Sequence, residues 1–356
     1  LRVIEETSAA VSVTVLDASE REEMAPPTPP PPPTSIGPQT SAVVIRASVG
    51  SVVGVLLMSL CCCLLRCRKL KTSGDDTKYQ LGVVNPIAAA DGFEEIPYSE
   101  LEIVNTRPPD RGSYKTVYHA RWQGRDVAVL KFRDGTPTFE ARMFARLGRH
   151  PSLTCMLGYT VDREKNMAIV TEYAPRGSLD KVIADAAELN VNISNLVLLE
   201  MARQVCDGMK KVALEKLVHR DLALRNILVF AFHATEHQQV NVKVTDYGLT
   251  RDAHRRGQST AYIHKPGADL PYRWMAPESL RARRWSSKSD VWAMGVLLWE
   301  LWSGGQIPYF EIMGDQDVLR HVTGGGRLPK PPGCPDCVWR IMERCWLLEA
   351  ERPDFQ

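Results

Sequence analysis

Two short polar stretches carry the residue types that phosphate chemistry needs. His219-Arg220-Asp221-Leu222-Ala223-Leu224-Arg225-Asn226 is followed, twenty residues after Asn226, by Asp246-Tyr247-Gly248. Moving a phosphoryl group takes little covalent help from a protein. It takes a carboxylate beside the attacking hydroxyl, oxygen ligands for a metal ion under the phosphates, and a cation on the phosphates themselves. Asp221 suits the first need, and Asn226 and Asp246 suit the second.

Such loops need a scaffold. From about residue 97 the chain turns to short strand-like runs and then to helical periodicity. Val117-Tyr118-His119-Ala120 and Val127-Ala128-Val129-Leu130-Lys131 read as antiparallel neighbours joined through Trp122-Gln123-Gly124. A lysine ending so apolar a strand is costly unless it meets an anion. Phe139, Met143, Phe144 and Leu147 share one face of a following helix, and Glu140 stands beside that stripe.

The order and spacing of these pieces resemble the catalytic and metal-binding loops of protein kinases, with Tyr247 where Phe is usual. Receptor-type tyrosine kinases are the nearest group. The resemblance covers about residues 97–356 and implies an α+β, bilobal protein kinase fold, with a small β-rich N-lobe and a large helical C-lobe. It implies ATP as substrate, with Mg2+ or Mn2+ held by Asn226 and Asp246 and Asp221 beside the substrate hydroxyl. It also implies that Lys131 contacts the α- and β-phosphates, held there by Glu140. Ala168–Ala174 is similar to the strand and hinge beside the adenine. There Thr171 would be the gatekeeper, and the backbone of Glu172 and Tyr173 would offer hydrogen bonds to the base. Val117 and Val129 would cover the base. In the closing segment Glu278 is expected to pair with Arg352, and Asp290 to brace the catalytic loop.

One stretch departs from the pattern. Counting back from Val117, the three positions of a GxGxxGxV phosphate lid hold Asp110, Gly112 and Lys115, so only Gly112 remains to let backbone amides close over phosphate oxygens. Val129 stands where alanine usually contacts adenine. These changes keep a second reading in play, a pseudokinase scaffold with weakened nucleotide binding.

Two features bear on the acceptor. Serine/threonine kinases usually carry Lys two residues after the catalytic aspartate; here that position is Ala223, and the cation appears at Arg225, as in receptor-type tyrosine kinases. Leu270-Pro271-Tyr272-Arg273-Trp274-Met275-Ala276-Pro277-Glu278 resembles the tyrosine-kinase substrate platform. Protein substrates with tyrosine are therefore expected. A serine/threonine kinase of the tyrosine-kinase-like group remains an alternative, on the same Arg273–Glu278 segment. Tyr262, in a basic loop with Arg255, Arg256 and Lys265, is the best candidate for autophosphorylation; Tyr79 and Tyr98 are weaker ones.

Upstream, residues 47–65 run without a charge and cover about 28 Å as a helix, close to the hydrocarbon thickness of a bilayer. Arg66, Arg68, Lys69 and Lys71 follow it, which places the C-terminal side in the cytosol by the positive-inside rule. The expected organisation is an extracellular remnant with a Pro-rich stalk (1–45), a transmembrane helix (46–66), a juxtamembrane linker (67–96) and the kinase domain (97–356). The expected location is a single-pass protein of the plasma membrane. Gly50 and Gly54 suit a homodimer through the spanning helix, with the lipid bilayer as a further partner. The chain starts at Leu1 and stops at Gln356, which reads as a piece of a longer protein. A net charge of +2 gives no sign of a nucleic-acid partner. Cys334 and Cys337 have metal-like spacing without a second pair, and His233 and His237 lack a third ligand, so neither pair is read as a metal site.

Overall fold

The computed structural model describes residues 93–104, 115–133, 137–252 and 270–355. The stalk, the apolar run 47–65 with Gly50 and Gly54, Tyr79, Asp110, Gly112 and Tyr262 lie outside the described residues. Chain contacts separate Leu1–Tyr79 from Gln80–Gln356, and everything described belongs to the second unit. Among the described residues no helix is long and apolar enough to cross a membrane.

The unit is bilobal. Its smaller lobe is a five-stranded antiparallel sheet in the order β1-β2-β3-β5-β4, made of β1 (Glu102–Ile103), β2 (Lys115–Trp122), β3 (Arg125–Phe132), β4 (Met156–Val161) and β5 (Met167–Glu172). The turn between β2 and β3 puts Gln123 and Gly124 at φ 49° and 73°, the pair of positive values that matches the twist of a two-residue hairpin. Residues ahead of 97 already belong to this lobe, since Ile96 N–H donates to the Tyr159 carbonyl at 2.7 Å and Ile96 is buried.

Side chains alternate across a strand, so each strand feeds two cores. On the outer face Val127, Val129, Ala120, Ala168 and Val170 pack with Ile96 and Leu101. On the inner face Ala128, Leu130 and Ile169 meet Ala141, Met143 and Phe144 of helix α1 (Thr138–Leu147) and join the core of the larger lobe.

That lobe is helical: α2 (Leu179–Glu188), α3 (Asn195–Leu214), α4 (Pro277–Ala282), α5 (Ser287–Trp302), α6 (Asp315–Thr323) and α7 (Asp336–Cys345). Ser194 caps α3 by accepting from Val197 N–H at 3.3 Å, and Ser286 with Ser289 forms a capping box at the start of α5. Every residue of α5 from Ser289 to Trp302 is buried, as befits a helix apolar on all sides. Gly295 lets α7's end come close: a Cβ there would lie 2.7 Å from the Cys345 Cβ.

Two short strand pairs set the loops. β6 (Leu217–Val218) pairs with β9 (Arg251–Asp252), and β7 (Ile227–Ala231) pairs with β8 (Asn241–Val244). Residues 219–226 bridge β6 to β7, and residues 245–250 bridge β8 to β9. The pairing therefore lays these two loops side by side.

Candidate active site

The loop bearing Asp221 hangs from the buried helix α5. Asp290 accepts backbone N–H bonds from His219 at 2.7 Å and Arg220 at 3.0 Å. Glu300 accepts from Leu224 N–H at 3.2 Å and from Trp274 Nε1 at 2.9 Å. Burial pushes the Glu300 carboxyl up to about 7, against the opposing pull of the Trp274 and Leu224 donors. His219 Nε2 donates to the Thr245 carbonyl at 3.0 Å while its Nδ1 accepts from Asp221 N–H at 3.3 Å, which defines a neutral tautomer and ties the two loops together. Thr245 N–H donates to the Asn226 carbonyl at 3.0 Å, a second tie.

Donors converge on Asp221. Asn226 Nδ2 donates to Asp221 Oδ2 at 2.8 Å and to its carbonyl at 2.7 Å, and the Arg225 guanidinium pairs with Oδ1. The same guanidinium lies 4.2 Å from the centroid of Trp274, so Arg225 is held by a carboxylate and a ring at once. Asn226 thereby spends its amide nitrogen and keeps its oxygen as an acceptor. With the Asp246 carboxylate it offers two hard oxygen donors, the kind Mg2+ or Mn2+ takes, so the donor set fits the metal. Asp246 itself sits in the left-handed region at φ 67°, ψ 75°, with its side chain accepting from Gly248 N–H. Tyr247 is fully buried; its ring meets Phe144 of α1 edge-on at 5.0 Å and His219 at 5.9 Å, and its hydroxyl donates to the Val244 carbonyl at 3.0 Å. One ring thus joins α1 to both loops.

The lysine assignment from sequence needs correction. Lys131 shares the outer face of β3 with Val127 and Val129. Its Nζ donates to Asp162 Oδ2 at 3.0 Å and lies 5.5 and 5.6 Å from the centroids of Tyr98 and Tyr118. The expected Lys131–Glu140 pair is not formed. Glu140 pairs instead with Lys115, whose Nζ is 3.0 Å from Glu140 Oε1 and 3.0 Å from Asp246 Oδ1. Burial opposes the Lys115 charge, but the Asp246 and Glu140 carboxylates outweigh it and hold the ammonium above the ordinary lysine value. Burial likewise opposes the Asp246 carboxylate, and Lys115 brings it below its ordinary value. Glu140 moves the other way, because its burial outweighs the pull of Lys115.

Val129 is corrected with Lys131, for the same geometric reason: it is fully buried in the outer core. Ala128 takes the inner face, opposite Thr171, and Val117 lies opposite Leu130 on that face. Thr171 is buried and donates its hydroxyl to the Glu172 carbonyl at 3.2 Å. Glu172 N–H is already used on the Cys155 carbonyl at 3.2 Å, and its carboxylate takes Lys243 at 2.6 Å. Tyr173 stacks on His119 of β2 at 3.9 Å, nearly parallel. Elsewhere, His233 Nδ1 accepts from Glu236 N–H at 3.0 Å as a turn cap, and Cys334 and Cys337 are free thiols. Among the described residues no three His, Cys, Asp or Glu side chains cluster as a metal site.

Sequence reasoning missed Lys115 as the partner of Glu140 and Asp246, and Asp162 as the partner of Lys131. The available signal was the strand alternation that groups Lys131 with Val127 and Val129. It also missed Trp274 and Glu300 as supports of the loop, for which the sequence holds no local sign.

The family model for protein tyrosine and serine/threonine kinases matches residues 107–356. Tyrosine-protein kinase Abl of Drosophila melanogaster is 36% identical over 253 residues, which is 69% of this chain and 15% of that relative's own length. With both loops, the five-stranded sheet and the Glu278–Arg352 pair (2.6 and 2.9 Å) in place, this chain belongs to the protein tyrosine and serine/threonine kinase family.

Proposed function

We propose that the chain is a membrane-anchored, ATP-dependent protein-tyrosine kinase that transfers the γ-phosphate to tyrosine hydroxyls of protein substrates. The observation that carries the reading is the convergence of Asp221, Arg225 and Asn226 in one hydrogen-bonded cluster, tied through Thr245 to the loop of Asp246. In that reading Asp221 accepts a hydrogen bond from the substrate phenol and orients its oxygen toward the phosphate. Arg225 offsets the charge that develops there. Asn226 and Asp246 would hold the Mg2+, which supplies charge neutralisation for the phosphates. Ala223 in place of a lysine, with the cation supplied at Arg225 and packed on Trp274, favours tyrosine over serine.

A radiolabel assay on a Tyr-containing polymer with Mg2+ tests it. Wild type should label the polymer, and Asp221→Asn should lose about 1,000-fold or more, since the side chain acts in the transition state. Equal, negligible labelling by both would leave the pseudokinase scaffold, which the Lys115–Asp246 contact favours because it occupies a metal ligand. Phosphoserine after acid hydrolysis would favour the serine/threonine alternative.

Membrane anchoring rests on the uncharged run 47–65 and the basic cluster Arg66–Lys71. Carbonate extraction of the expressed chain should leave it in the membrane pellet, and release by deleting 47–65 would identify the anchor.

A further inference from the structure

Lys115, and not Lys131, stands where a kinase-like reading of the sequence puts the lysine that pairs with Glu140. The β2–β3 register pairs Lys115 with Phe132, Thr116 with Lys131, Val117 with Leu130 and His119 with Ala128. Directly opposed residues of antiparallel strands share a face. Lys115, Val117 and His119 therefore stand on the inner face with Ala128, Leu130 and Phe132. Thr116 and Tyr118 stand on the outer face with Lys131. The inner-face position of β3 next to α1 is held by Leu130, which is buried and has no charge to offer. Lys131 ends in the outer face's own ion pair with Asp162, a partly covered cation with a complete partner.

The cation on the inner face comes from the neighbouring strand. Lys115 Nζ lies 3.0 Å from Glu140 of α1 and 3.0 Å from Asp246, the carboxylate read above as a metal ligand. Glu140 is 4% exposed, so the pair is formed out of bulk water, where a lone carboxylate would be costly. An ammonium has three donors. Two of them point at carboxylates that flank the place where phosphate oxygens and a metal ion must meet.

We propose that Lys115 of β2, and no lysine of β3, is the residue that grips the nucleotide's phosphates, with Glu140 as its anchor and Lys131 as a packing residue of the outer face. The proposal rests on the phosphoryl-transfer reading and deepens it. It also accounts for the departure from glycine at position 115, where a small residue would leave Glu140 buried without a cation. Asp246 would hold a metal ion together with Asn226, and Glu140 would then remain as the carboxylate that anchors the ammonium.

The test is nucleotide binding by calorimetry on the full chain, with ATP plus Mg2+ and with adenosine, for wild type, Lys115→Met, Lys131→Met and Lys115→Gly carrying Leu130→Lys. Lys115→Met is expected to weaken ATP about tenfold or more, because a charge-assisted phosphate bond is lost, and to leave adenosine within about twofold. Lys131→Met is expected to leave both ligands within about twofold of wild type. Leu130→Lys should restore ATP binding to the Lys115→Gly chain, since it returns a cation to the same face one step across the hairpin. Retained adenosine binding shows that each variant is folded.

Three results overturn the proposal: ATP loss in Lys131→Met with none in Lys115→Met, tighter ATP binding by Lys115→Met, or no ATP binding by wild type. The second would mean that Lys115 is a plug on Asp246. The radiolabel comparison with Asp221→Asn fails independently of these arms. A chain that grips ATP through Lys115 without labelling tyrosine would overturn the transferase reading and leave the lysine assignment standing.

Discussion

Asp290 shows how much of the site depends on groups that never touch a substrate. Its two carboxylate oxygens each take one backbone N–H, from His219 and Arg220, and Arg220 sits at φ 73°, a conformation an L-residue holds only when its surroundings insist. Removing the acceptor leaves two buried donors unpaired and frees the peptide that positions Asp221. Asp290→Ala should cost about 3 kcal/mol in urea unfolding, from two charge-assisted bonds. It should also lower kcat for polymer labelling while leaving the KM for ATP close to wild type. A stability loss without a kcat change would mean that the loop is held by its other ties. His219 is one of these: as a neutral tautomer it links Asp221 N–H to the Thr245 carbonyl, so a single ring connects the two loops. The resemblance marked Asp290 as the brace of this loop, but residue types and separations do not say which backbone groups need an acceptor.

Among the elements, α5 carries the most. It is apolar around its whole circumference, and it places Asp290 near one end and Glu300 near the other, both buried, both accepting from the catalytic loop. Burial raises both carboxyls, and that of Glu300 sets a definite pH window. Its carboxyl is pushed by burial from an ordinary 4.5 to about 7 in the folded chain. Between those values the folded state keeps a proton that the unfolded chain has released. This contribution to stability is whole below about 4.5 and is lost as pH rises through about 7, a change of about 3 kcal/mol. Glu300→Gln, which never ionises, should remove that part of the slope, measured as urea midpoints from pH 5 to 8. Parallel slopes in wild type and variant would show that Glu300 ionises without penalty. At the sheet, the hairpin β2–β3 was readable from the alternating apolar runs and the Gln123-Gly124 turn. The face of each side chain was not, because Val127, Ala128, Val129 and Leu130 are apolar on both sides and hide the register.

At the scale of the whole molecule, the closing segment is clamped to the segment that leads into α4. Arg352 forms a bidentate pair with Glu278 of α4, at 2.6 and 2.9 Å, and is 3% exposed. Its guanidinium also donates to the Lys288 and Leu347 carbonyls and lies 5.0 Å from the Trp292 ring centroid. Arg352→Met should destabilise by about 3–5 kcal/mol, because Glu278 is left as a buried charge, and adding Glu278→Leu should recover part of the loss. Additive losses in that double mutant would show that the pair is not coupled. The sequence by itself determined the family, the bilobal division and the members of the two phosphate-chemistry loops, because those are set by residue types at short fixed separations. It also marked Glu278, Arg352 and Asp290 through their place in the same order. Only the tertiary structure decided which lysine faces Glu140 and Asp246. A strand's side chains change faces with every residue, so the register of one hairpin puts Lys115 on that face and Lys131, sixteen positions on, on the other.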